Sequence, residues 1–88
     1  MDRATFEATL VSEGFSEIVT VERVANGFLD THAHPFEAKA LILTGDISLQ
    51  VGASETHYRV GDVFHLQAHH DHTERYGPAG VSYLVGRK

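Results

Sequence analysis

Three histidines have the type and spacing to do chemistry in this chain. His32 and His34 form a His-x-His pair within Asp30-Thr31-His32-Ala33-His34-Pro35-Phe36-Glu37, and His72 ends the later segment Gly61-Asp62-Val63-Phe64-His65-Leu66-Gln67-Ala68-His69-His70-Asp71-His72. Residues two apart on a β-strand project from one face, so such a pair aims two imidazoles at one point. A third imidazole from a neighbouring strand would complete a face of ligands and leave other positions on a first-row transition metal open. The chain has no cysteine, so disulfides and thiolate sites are excluded and nitrogen and oxygen must supply every ligand. Three neutral imidazoles suit Zn, Ni, Cu or Fe(II), and an added carboxylate favours Mn or Fe. One divalent transition metal per chain is the expectation.

Strand parity sorts the neighbouring residues. His32, His34, Phe36, Ala38, Ala40 and Ile42 share one face of an extended segment, and Glu37 points the other way. A bulge at Pro35-Phe36 would rotate Glu37 inward as a fourth ligand; the outward position is the favoured one. Glu74 has the parity of His72, and a carboxylate buried there is costly unless it is paired with the metal or a histidine. His69 and His70 stand in the loop just before His72 and are candidates to cover the site. Tyr76 is a candidate hydrogen-bond donor to a ligand, and Phe36 and Ala38 read as pocket wall. His57 is expected on the surface, and parity leaves the face of His65 open. No Gly-rich phosphate loop and no Gly-x-Ser-x-Gly elbow occurs. No serine has a base nearby in sequence, so nucleophilic serine catalysis has no support.

These residues need strands to position them. Asp2 to about Glu13 reads as a short helix with Phe6 and Leu10 on one face, Gly14 as its C-terminal cap and Phe15 as the capping contact. Glu17–Val24 is a strand, Asn26-Gly27 a turn, and Phe28–His34 extended up to Pro35. Glu37–Thr44 reads as a buried strand, with Gly45-Asp46 turning into the alternating strand Ile47–Val51. Gly52-Ala53-Ser54-Glu55 is a hairpin turn, Thr56–Val60 a strand and Gly61-Asp62 a turn. Val63–Leu66 and His72–Tyr76 flank the His-rich loop, and Gly77-Pro78-Ala79-Gly80 is a loop before a last strand, Val81–Val85. Seven or eight short strands with regular glycine turns indicate an antiparallel sandwich or barrel.

With 88 residues, residues 1–88 are expected to form a single domain. The formal net charge is −5 with Lys and Arg spread singly, which argues against nucleic-acid binding. Met1-Asp2-Arg3-Ala4-Thr5 lacks the basic start and apolar core of a signal peptide. No apolar run approaches the roughly 20 residues of a membrane span. A cytoplasmic protein with no membrane contact is the expectation. So small a barrel exposes strand edges, and Glu17–Val24 is the strand expected to pair in a homodimer.

The chain resembles a small cupin. Gly27, His32, His34 and Gly45 match the first of that family's two motifs, spanning about 27–45, and Gly61-Asp62 with His72 match the second, spanning about 61–76. There are departures. Four residues separate Gly27 from His32, one fewer than usual. Gln67 and His69 replace the proline and glycine of the second motif, and Tyr76 stands where asparagine is common. The family's carboxylate position is Ala38, with Glu37 one place early. The resemblance implies an all-β, antiparallel jelly-roll barrel with a short N-terminal helix and a metal held by His32, His34 and His72. It also implies a metal-dependent oxygenase or isomerase acting on a small organic molecule, or a non-catalytic small-ligand or sensor barrel, because one fold hosts many functions.

Overall fold

The computed structural model describes residues 1–88. One helix, α1 (Arg3–Ser12), precedes six strands: β1 (Glu17–Arg23), β2 (Phe28–His32), β3 (Ala38–Val51), β4 (Ser54–Arg59), β5 (Val63–Leu66) and β6 (His72–Arg87). Asp2 caps α1 by accepting the Thr5 amide at 2.9 Å, which satisfies one of the orphan donors of the first turn. The turn after Ser12 closes with the Phe15 amide on the Leu10 carbonyl at 3.0 Å. That bond brings Phe15 back onto the helix face carrying Phe6 and Leu10.

β3 and β6 are long, and each serves two sheets. In the first layer the order is β5, the start of β3, the end of β6, then β1, with pairs such as Ala40↔Phe64, Leu41↔Leu84 and Val21↔Tyr83. In the second it is β4, the end of β3, the start of β6, then β2, with pairs such as Ile47↔Tyr58, Leu49↔Glu74 and Leu29↔Glu74. Alternation then sorts the side chains. Ala38, Ala40, Ile42, Phe64, Tyr83 and Val85 from one layer meet Ile47, Leu49 and Tyr76 from the other in the main core. Leu41 and Leu84 face outward and would be wet. They are instead covered by Phe6, Leu10 and Phe15 in a second, smaller core. The helix can sit this close because Gly86 lacks a side chain: a Cβ there would lie 2.9 Å from both Leu10 and Phe15.

Two expected breaks are not breaks. Gly45-Asp46 is not a turn and Gly77–Gly80 is not a loop; each is a corner inside a continuous strand. The register shifts between Ile42 and Thr44 and again between Gly45 and Ile47, and bulges of this kind let one strand bend from one sheet into the other. The corners nest. Gly45 has φ +71°, and a Cβ on it would come within 1.9 Å of the Gly80 carbonyl oxygen. Pro78, which has no N–H for a ladder, occupies the unpaired part of β6 between Tyr76 and Val81. β1 and β2 do not pair with each other, nor do β4 and β5. The jelly roll therefore has two layers joined through β3 and β6 and open along both sides.

Candidate metal centre

The start of β6 turns His72, Glu74 and Tyr76 inward, all buried, with Thr73 and Arg75 facing out. Neighbouring β2 supplies His32 through an irregularity. Leu29 pairs with Glu74 and His32 with His72, so two residues of β2, Asp30 and Thr31, oppose the single Thr73. In regular register Thr31 would face His72 and His32 would point to solvent. The bulge converts the parity and aims His32 into the barrel. His34 lies just past the strand end, where the His69 amide holds its carbonyl at 2.7 Å. Its ring stacks on Phe36 with centroids 4.8 Å apart.

His32, His34, His72 and Glu74 each offer a ligand atom, and these atoms lie within 4.8 Å of one another. The tautomers follow from the backbone. His32 Nδ1 donates to the Asp30 carbonyl at 2.8 Å and His72 Nδ1 to the His70 carbonyl at 3.1 Å. A carbonyl only accepts, so in each neutral ring the hydrogen sits on Nδ1 and Nε2 carries a lone pair. Both Nε2 atoms face one carboxylate oxygen, Glu74 Oε2, at 3.1 Å and 3.2 Å. The other oxygen, Oε1, accepts from the Tyr76 hydroxyl at 3.0 Å. Lone pairs thus converge on an anion in a buried site, which is unfavourable unless a proton or a cation lies between them. A divalent ion with nitrogen and oxygen arms of roughly 2.1 Å suits such separations. The donor set fits a transition metal. Burial first, then His32 and His72, push the His34 pKa down, which keeps that ring neutral and able to ligate. Burial, then the Glu74 charge and its hydrogen bond, push Tyr76 well above the ordinary phenol range, so it remains a donor.

The other expected residues fall into place differently. Glu37, a candidate fourth ligand, is outside the cluster. It bonds the His65 ring on the outer surface, and its backbone pairs with Lys88 in both directions at 2.8 Å and 3.0 Å. No bulge at Pro35-Phe36 rotates it inward. The carboxylate in the cluster is Glu74, which strand parity with His72 had already aimed inward. His69 and His70 are exposed and contribute through their backbones, as described above. His57 is on the outer face with Asp46, 2.6 Å away. Phe36 and Ala38 line a cavity of about 60 Å³ that also touches His34, Glu74, Tyr83, Arg23 and Arg87. Sequence reasoning passed over the two arginines.

The fold is that of a small cupin, a double-stranded β-helix. The cupin domain of Schizosaccharomyces pombe Cnp3 superposes with a TM-score of 0.71 at 18% identity, covering 80% of this chain and 50% of that one. KdgF from Halomonas sp. gives 0.65 at 18% identity over 81% and 67%. The DMSP lyase DddQ from Ruegeria pomeroyi DSS-3 gives 0.73 at 24% identity over 81% and 36%. The chain therefore spans half the length of the Cnp3 domain and little over a third of the lyase. No family model matches the chain, and no curated protein does.

Proposed function

We propose that this cupin binds one divalent transition metal through His32, His34, His72 and Glu74 and uses it on a small organic molecule. The observation that carries the reading is the pair of Nε2 lone pairs facing Glu74 Oε2 with both Nδ1 hydrogens committed to carbonyls. When bound, the metal supplies a Lewis acid with open positions for a ligand oxygen. The chain's own residues set the rest. Tyr76 fixes the carboxylate, Phe36 fixes the His34 ring, and Ala38, Phe64, Leu66 and Val85 form an apolar wall of the adjoining cavity.

Proteins of this fold include one named as a lyase and one named KdgF, which supports an enzyme; the oxygenase or isomerase kind rests on the family resemblance alone. One feature favours a non-catalytic ligand-binding barrel instead. With Glu74 ligating, the cavity wall has no spare carboxylate and no spare imidazole to act as general base. Purified protein should carry about one metal per chain by elemental analysis. His32→Ala, His34→Ala and His72→Ala should each abolish that binding. Fe or Mn with oxygen uptake on a panel of small acids and diketones supports the oxygenase. Zn or Ni with no turnover supports the binding barrel. A metal-free protein that takes up none of the four ions ends the proposal.

A further inference from the structure

Two arginines occupy inward-facing positions where alternation calls for apolar residues. Along β6, Val81, Tyr83 and Val85 point into the core, and Arg87 continues the series. Along β1, Val21 points in and Arg23 follows two residues later. Both border the cavity of about 60 Å³ that touches His34 and Glu74. It lies beside the side of the sandwich where β1 and β2 leave a gap.

Arg87 is fixed but not satisfied. Its Nη1 donates to Glu17 at 3.1 Å, and its guanidinium carbon lies 5.1 Å over the Phe36 ring that stacks on His34. Its Nε is buried with no hydrogen-bond partner, alone in this among the side-chain polar atoms of the chain. Such a group is costly to leave unmet and calls for an explanation. Tyr83 lines the same cavity, and its hydroxyl has no hydrogen-bond partner. Burial and the Glu74 charge raise its pKa to about 12, so it stays a neutral donor. Without an ion the charges of Arg23 and Arg87 balance those of Glu74 and Glu17, and a divalent ion would leave the site open to a further anion.

We propose that the cavity takes the carboxylate of a small organic acid, with the guanidinium of Arg87 and the side chain of Tyr83 as donors and Arg23 adding positive charge at its rim. The inference deepens the metal-binding reading and rests on it for the surplus positive charge and for the far end of the acid, which faces His34 and Glu74; the donors at Arg87 and Tyr83 do not depend on it. Arginine suits a carboxylate because its N–H groups are planar, charged and strongly donating. The space holds roughly four or five waters, which fits a short acid and excludes a sugar chain.

The test is a backbone NMR titration of the full chain, metal-free and Zn-loaded, with acetate and glycolate against acetamide and glycolamide. Each acid should bind at least tenfold more tightly than its amide. Arg87→Gln should erase that preference, and Tyr83→Phe should reduce it severalfold, with Zn uptake unchanged in both. Arg87→Lys, which keeps the charge, should restore only part of it and serves if Arg87→Gln does not fold. Equal binding of acid and amide overturns the proposal, as does no binding of either acid, or a preference that survives Arg87→Gln. Failure of the wild type to take up Zn would instead sink the metal reading. The acid-over-amide comparison on the metal-free protein would still decide this proposal.

Discussion

Glu74 carries the electrostatics of the site at the scale of single residues. Glu74→Gln removes the anion while keeping the shape. It should weaken Mn or Fe binding at least tenfold and Zn binding less, since harder cations depend more on oxygen, as measured by competition with a chromophoric chelator. Glu37→Gln should leave the same affinities within threefold, because Glu37 bonds His65 outside the barrel. Tyr76→Phe frees Glu74 Oε1 from its donor and should cost about tenfold in metal affinity, the low end for an orienting partner. Metal should be released on acidification from about pH 6.5 downward as protons compete for the imidazoles. His34, with its depressed pKa, should be the ligand least affected. Uptake that is constant from neutral pH to about 5 would contradict an imidazole-rich site. Tyr83 gives the opposite dependence on base. A phenol with a raised folded-state pKa contributes stability that is intact below its unfolded value of about 10. That stability is lost as pH rises toward about 12. Absorbance at 295 nm should show a component near that pH that Tyr83→Phe lacks. The histidines were legible from spacing and Glu74 from parity with His72. The arginines were not, because an arginine near a strand end usually reads as a solvated charge, and only the cavity shows what Arg23 and Arg87 face.

At the scale of elements, the bulge in β2 sets His32 opposite His72. Deleting Thr31 should remove the bulge and leave His32 in regular register opposite His72, still aimed inward. The variant should keep its far-ultraviolet circular dichroism and its stoichiometric metal binding; lost binding would show that the bulge itself, and not only the pairing of His32 with His72, shapes the site. Sequence alternation cannot reveal such a bulge, since one extra residue leaves the composition of the strand unchanged. A plain parity reading from His32 to Ile42 puts both histidines on the face of Phe36, Ala38 and Ala40, as found, but does not reach the bulge before His32 that aligns it with His72. The corners were hidden differently. Gly45-Asp46 and Gly77-Pro78-Ala79-Gly80 have the composition of turns, and only the pairing of β3 with β6 on both sides shows that they are bends. Gly45→Ala would combine a positive φ with a 1.9 Å approach to Gly80 and should destabilise by at least about 2 kcal/mol in denaturant titration.

At the scale of the whole molecule, the antiparallel jelly roll and its N-terminal helix were legible from glycine spacing and the Phe6/Leu10 face. The use of that helix was not: it covers the outward residues Leu41 and Leu84 of one sheet and closes no barrel end. β1 pairs with β6 on one side only, and an open strand edge invites another chain. We therefore expect a homodimer through β1; light scattering that returns the monomer mass at tens of micromolar would refute it. The dependence of every sheet on β6 also governs time. β6 supplies partners to β1, β2 and β3, and it carries His72 and Glu74. Until it docks, only the β3–β4 hairpin and the β3–β5 pairing can form, and neither encloses a core. Such non-local pairing folds in milliseconds to seconds where helical bundles take microseconds to milliseconds. Metal capture should therefore be a late event in refolding, because half of its ligands arrive with the strand that completes both sheets.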